Sequence, residues 1–218
     1  HTISRRQRQM CIRDRFCAGG DLKVFSEAGN EVGVLAKKIT TSLHAAVSRF
    51  ARMAPPLVVA VNGTVAGGGL SLVLVADMVL SARSAKFTLA YTQAGLVPDG
   101  SSTYFLPRLV GLRRAKELIF TNRVLNAEEA LDWQLINQVL DDDLLQDEAL
   151  KLAKSLADGP LATHGIVKHL LAETFSNHLE SQMEAESRGL AQALSGEEGQ
   201  EGMRAFLEKR KPVFPGHG

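Results

Sequence analysis

The chain has 218 residues, of which 45% are hydrophobic and 22% charged, and a formal net charge of +1. That is the composition of a folded domain with a sizeable core, and it excludes a disordered or fibrous chain. The near-neutral total also argues against a broadly basic nucleic-acid surface, although it is unevenly made. Residues 1–15 hold Arg5, Arg6, Arg8, Arg13 and Arg15 against Asp14, a net of +4, and the remaining residues sum to −3. Two cysteines, Cys11 and Cys17, are not spaced as Cys-x-x-Cys. They exclude a disulfide framework and a four-cysteine zinc site, and they read as reduced thiols of a cytoplasmic protein. No apolar run approaches the roughly 20 residues of a membrane helix. The Arg-rich head carries neither a secretory apolar stretch nor the amphipathic face of a transit peptide.

After the head, Phe16-Cys17-Ala18-Gly19-Gly20-Asp21-Leu22 reads as a turn-like knot of small residues. Val32, Leu35, Ile39, Leu43, Val47, Phe50 and Met53 then recur every three or four positions, which predicts one long amphipathic helix ending at Pro55-Pro56. Leu57-Val58-Val59-Ala60-Val61 is continuous and β-branched, the mark of a strand covered on both faces. Asn62-Gly63 marks a turn, Gly67-Gly68-Gly69 opens an apolar helix over residues 70–76, and residues 78–82 read as another strand. Together these form a βαβ-like unit.

From Ala115 onward the pattern is mostly helical, with periods over 144–156, 163–175, 179–194 and 202–209. Gly159-Pro160 and Ser195-Gly196 supply breaks, and Asn126-Ala127-Glu128-Glu129 reads as a capping box. No repeat or long linker is present. The predicted organisation is therefore an atypical head over 1–15, an α/β core over 16–140 and a helical region over 141–218.

Three features carry candidate chemistry. Ala18-Gly19-Gly20-Asp21-Leu22 is the first. Gly67-Gly68-Gly69, between a strand and a helix, is either a close-packing device or a cradle of unpaired helix N–H groups suited to an anion or a developing oxyanion. Neither the phosphate-loop pattern nor Gly-x-Gly-x-x-Gly occurs. Asp99, between Pro98 and Gly100, is either a turn aspartate bonded to its own backbone or a carboxylate held at the mouth of a site.

Taken in order, these segments resemble the enoyl-CoA hydratase/isomerase, or crotonase, family over roughly residues 16–214. The resemblance rests on residues 16–22, on Val59 through Gly69, on Ala76-Asp77, Ala85-Lys86-Phe87 and Gly95-Leu96-Val97-Pro98-Asp99-Gly100, and on Glu201 through Arg210. It implies an α/β spiral of ββα units with a C-terminal helical region that trimerises, giving a homo-trimer or dimer of trimers. It also implies an acyl-CoA thioester as substrate, no cofactor beyond the CoA carried by that substrate, and no metal, nucleic-acid or membrane partner. The six histidines show no metal-ligand spacing and read as surface or satisfied residues.

By motif position the resemblance assigns the oxyanion-hole donors to the backbone N–H groups of Gly20 and Gly68. It puts Ala18, Asp21, Leu22 and Lys23 near the substrate and its nucleotide. Phe206 and Lys209 fall in the tail that contacts CoA in the family, although Phe206 by itself reads as core and Asp21 as structural. The two glutamates of the family's hydratases correspond to Ser71 and Tyr91 here, and neither is a carboxylate. Hydration needs one group to activate water and another to protonate carbon, which serine and tyrosine at ordinary pKa values do poorly.

The remaining acid, Asp99, stands where the family's isomerases carry theirs. The expectation is an isomerase that shifts a double bond in an enoyl-CoA thioester, or a ring-epoxide acyl-CoA isomerase, with Asp99 as the base and burial raising its pKa. The alternatives are a hydratase or thioester hydrolase of the same scaffold, or an inactive, shortened member. The family fold begins with strands and a helix ahead of the Ala-Gly-Gly-Asp knot, so the front is expected to be missing or replaced by the unmatched head.

Overall fold

A computed structural model describes residues 15–214; the basic head up to Asp14, with Cys11, lies outside the described residues. The chain divides into two compact units, one containing the residues up to Ala51 with Val58–Ala149, the other Arg52–Leu57 with everything from Leu150. The division falls within a helix, after Ala149, and the proline-containing segment groups with the helical unit.

The α/β unit is built from strands β1 (Arg15–Cys17), β2 (Val58–Val61), β3 (Thr64–Ala66), β4 (Met78–Ala82), β5 (Lys86–Thr88), β6 (Leu125–Asn126) and β7 (Gln138–Leu140). Arg15 opens β1 and pairs with Thr64, so the last residue of the head joins the fold and the knot begins as a strand. The helices are α1 (Leu22–Glu27), α2 (Val32–Arg52), α3 (Gly68–Leu74), α4 (Ser102–Val110), α5 (Leu112–Thr121), α6 (Ala127–Asp132) and α7 (Leu145–Ala157), the last running into the second unit.

The predicted βαβ unit exists, but with one more strand and one more sheet. β2 and β4 are parallel neighbours, with Val58 opposite Met78 and Val61 opposite Ser81. Between them, β3 crosses to a different sheet. One sheet runs β1-β3-β5-β6 and the other β2-β4-β7. Each ββα turn, β2–β3–α3 and then β4–β5–α4, adds one strand to each sheet. This is the spiral that the family resemblance implies.

Both sheets bury what lies between them and the helices. Val61, Val65, Leu70, Phe87, Leu106, Leu118 and Leu125 are fully buried and belong to one cluster. Burying a side chain of this size stabilises the fold by about 1.5–3 kcal/mol. The capping box of α6 forms as read: Asn126 Oδ1 accepts from the Glu129 N–H at 2.8 Å, and Glu129 Oε2 accepts from the Asn126 N–H at 3.0 Å.

The second unit contains α8 (Leu161–Glu173), α9 (Leu179–Ser195) and α10 (Glu197–Leu207). Pro160 precedes α8 and Gly196 separates α9 from α10, at the predicted breaks. Gly165 of α8 lies against Ala54, where an added Cβ would come within 2.6 Å of the Ala54 Cβ. Gly189 of α9 meets Ile166 in the same way, at 2.9 Å. No helix among the described residues is long and apolar enough to cross a membrane.

Candidate active site

The three glycines after β3 are there for different reasons. Gly67 precedes α3 with φ +53°, a conformation that side chains rarely adopt. Gly69 is close against β1: a Cβ there would collide with the Cys17 carbonyl oxygen and lie 2.7 Å from Cys17 Cβ. Gly68 is required by neither constraint. A Cβ on it would make only ordinary contacts, 3.6 Å from the Tyr91 hydroxyl and 3.9 Å from Gly19 Cα. Backbone conformation thus accounts for Gly67 and close packing for Gly69, and neither accounts for Gly68. Gly19 approaches the same turn, with a built Cβ 2.9 Å from the Gly68 nitrogen, so the Gly19-Gly20 and Gly67-Gly68 segments lie side by side.

One turn of α3 beyond Gly68, Ser71 is fully buried and its Oγ donates to the Asp99 carbonyl at 2.6 Å. The same carbonyl accepts from Ser102 Oγ at 2.9 Å and, more weakly, from the Ser102 N–H at 3.3 Å. Gly100 follows with φ +63°, and a Cβ there would lie 2.8 Å from Ser71 Cβ and 3.3 Å from Leu43. Two buried serines and a crowded glycine thus hold the backbone of Asp99 beside the Gly68 turn. Ser71, expected at a substrate-binding position, acts here as a brace for that backbone.

The carboxylate itself leaves the turn. Asp99 Oδ1 lies 2.8 Å from His44 Nε2 on α2, with side-chain exposures of 32% and 51%. Asp99 is therefore only half-buried, less than the burial expected of a base. Tyr91 completes the cluster. Burial pushes its phenol above the ordinary value of 10, outweighing the hydrogen bond with Ser71 that lowers it. At neutral pH this group is a neutral phenol, unsuited to act as a base.

The other sequence-derived positions make contacts of their own. Asp21 caps α1, its Oδ1 accepting from the Lys23 N–H at 2.9 Å, the structural role that its reading favours. Lys23 faces Glu27 one turn on, at 3.7 Å, on an open surface. Ala18 and Leu22 are exposed beside the Gly19-Gly20 segment. Phe206 is 83% exposed on α10, which corrects its reading as a core residue, and Lys209 follows the helix with φ +55°. Both belong to the helical unit. His44 is the residue that sequence reasoning missed. It stands next to Leu43 on the apolar stripe of α2, 55 residues from its partner, and nothing local to it signals a site.

Comparisons with known proteins bear on the family and the fold. The model of the family described as enoyl-CoA hydratase/isomerase matches residues 12–217. The chain is 38% identical over 202 residues to the 1,2-epoxyphenylacetyl-CoA isomerase of Escherichia coli (strain K12), covering 92% of this chain and 77% of that protein. It is 36% identical over 207 residues to the mitochondrial methylglutaconyl-CoA hydratase of Rattus norvegicus, covering 64% of that longer protein. The crystal structure of an enoyl-CoA hydratase from Polaromonas sp. JS666 superposes with a TM-score of 0.87 at 32% identity, over 91% of this chain and 77% of that one.

Proposed function

Since the chain belongs to the enoyl-CoA hydratase/isomerase family, we propose that it shifts a double bond in an enoyl-CoA thioester, with Asp99 as the single acid–base group. The observation that carries this reading is the asymmetry of the site. Asp99 is braced by Ser71 beside Gly68, while the residues at the two hydratase positions are a buried serine and a neutral phenol.

In this mechanism the thioester carbonyl accepts hydrogen bonds from the backbone N–H groups of Gly20 and Gly68. The Asp99 carboxylate takes a proton from the carbon between the carbonyl and the double bond. The electron pair of the broken C–H bond passes into a dienolate, whose oxygen is held by the two N–H donors. The protonated Asp99 then returns its proton to the far end of the dienolate, and the carboxylate is regenerated. A preorganised donor of this kind is worth about 3–4 kcal/mol of transition-state stabilisation.

The similarity to an isomerase that acts on a ring-epoxide acyl-CoA supports that substrate type alongside straight-chain 3-enoyl-CoA. The hydratase relative supports a second reading, hydration, in which the buried Ser71 and the half-buried Tyr91 would have to be bypassed. Self-association through the helical unit is part of the proposal, supported by its exposed Leu171, Phe175, Leu179 and Leu190.

The test is to incubate the protein separately with 3-enoyl-CoA and 2-enoyl-CoA, following double-bond position, hydration and free thiol. Conversion of 3-enoyl- to 2-enoyl-CoA should fall by about 10²–10⁴-fold in Asp99→Asn, the range for losing a general acid–base group. Rapid hydration of 2-enoyl-CoA that survives Asp99→Asn would overturn the isomerase reading in favour of a hydratase. Release of free CoA would point to a hydrolase.

A further inference from the structure

The hydrogen bonds that brace Asp99 through Ser71 and Ser102 all end on its main-chain carbonyl. They fix the backbone and leave the two torsions that aim the carboxylate unfixed. The contact that reaches the carboxylate itself comes from α2, where Leu43 lies 3.3 Å from the place a Cβ on Gly100 would take and the next residue, His44, places Nε2 2.8 Å from Oδ1. An ionised carboxylate only accepts hydrogen bonds, so Nε2 carries the hydrogen in this pair, and in a neutral ring Nδ1 holds the lone pair. A bond from a ring N–H to a charged oxygen is among the stronger and more directional ones.

We propose that His44 is a positioning residue for Asp99: by donating to Oδ1 it sets the carboxylate plane and leaves Oδ2 as the oxygen that takes and returns the substrate proton. The inference rests on the isomerase reading. In the forward step Oδ2 forms an O–H bond as the substrate C–H bond breaks, while Oδ1 goes on accepting from His44. In the return step that O–H bond breaks as the distal C–H bond forms. His44 exchanges no proton with the substrate in either step. It keeps the carboxyl group from rotating between them.

The experiment compares wild type, His44→Ala, His44→Gln and Asp99→Asn on 3-enoyl-CoA, with acyl-CoA affinity and melting temperature measured alongside. His44 is half exposed on a helix, where alanine is well tolerated, and the glutamine amide nitrogen can reach the position of Nε2. His44→Ala should lower kcat by about tenfold, the usual scale for one lost charge-assisted hydrogen bond, with KM changed by less than about twofold. His44→Gln should recover most of kcat, because it restores a donor without an ionisable ring.

A wild-type kcat in His44→Ala, equal losses in the alanine and glutamine variants, or a rise confined to KM would each overturn the positioning role and leave the isomerase reading standing. A wild type that does not isomerise, or an Asp99→Asn variant that still does, would overturn the isomerase reading and this inference with it.

Discussion

The two units solve the problem of holding a chain together in opposite ways. The α/β unit closes around large apolar side chains, with Phe87, Leu70, Leu106 and Leu118 at zero exposure. In the helical unit the buried positions are small or charged, namely Gly165, Gly189, Ala205 and Glu201, while Leu171, Phe175, Leu179, Phe206 and Leu207 stay exposed. Two curved sheets can enclose a volume. Three helices meeting at glycines bring their backbones close and leave their larger side chains outside.

The helical unit compensates with polar clamps. Glu201 accepts from Arg210 through both oxygens, at 2.6 and 3.0 Å, and from the Val213 N–H at 2.9 Å, which fastens the segment after α10 onto that helix. Glu198 does the same for the start of α8, accepting from the Ala162 and Thr163 N–H groups at 2.9 Å each. An acid at that end also opposes the positive helix terminus.

The largest expected difference between the units is in apolar truncation. Phe87→Ala should cost about 3–5 kcal/mol in denaturant unfolding, because it empties a site that sheets and helices have closed. Phe206→Ala should change the stability of the isolated protomer by no more than about 0.5 kcal/mol. Equal losses would mean that the helical unit has a core of its own after all.

Next comes the polar clamp. Arg210 and the Val213 N–H hold the Glu201 carboxyl down at about 2, against an ordinary 4.5. Because the folded-state value is depressed, the contribution is fully present above about pH 4.5 and is lost as pH falls through the folded value. Hydrogen exchange in α10 should show Glu201→Gln less protected than wild type near pH 6, with the gap closing between pH 4.5 and 2. The α/β amides serve as the internal reference, and a gap that persists at the acid end would remove the clamp from the account.

The smallest effect is expected at the α6 cap, where Asn126→Ala should cost about 1 kcal/mol in the α/β unit. A loss well above that would show that Asn126 also supports the β5–β6 pairing, in which it lies opposite Lys86.

Much of this molecule follows from local signals. The stripe that predicts a helix ending near Met53 appears as Val32–Arg52, and the strand read over 78–82 appears with the same bounds. Both reciprocal bonds of the capping box are formed. These succeed because helix periodicity, strand branching and caps depend on residues within a few positions of one another. The less legible elements are those that lean on tertiary support, such as α4, which carries Pro107 within it, and the three-residue β7.

The sequence by itself determined the family, the glycine turns and the identity of the acid at position 99. Only the tertiary structure decided what surrounds that acid. It sent β2 and β3 to different sheets, set Ser71 as a brace on the backbone of a residue 28 positions away, and brought His44 across 55 residues to the Asp99 carboxylate. No local pattern encodes such meetings, because they depend on how the ββα turns stack and on α2 lying against the Gly100 turn.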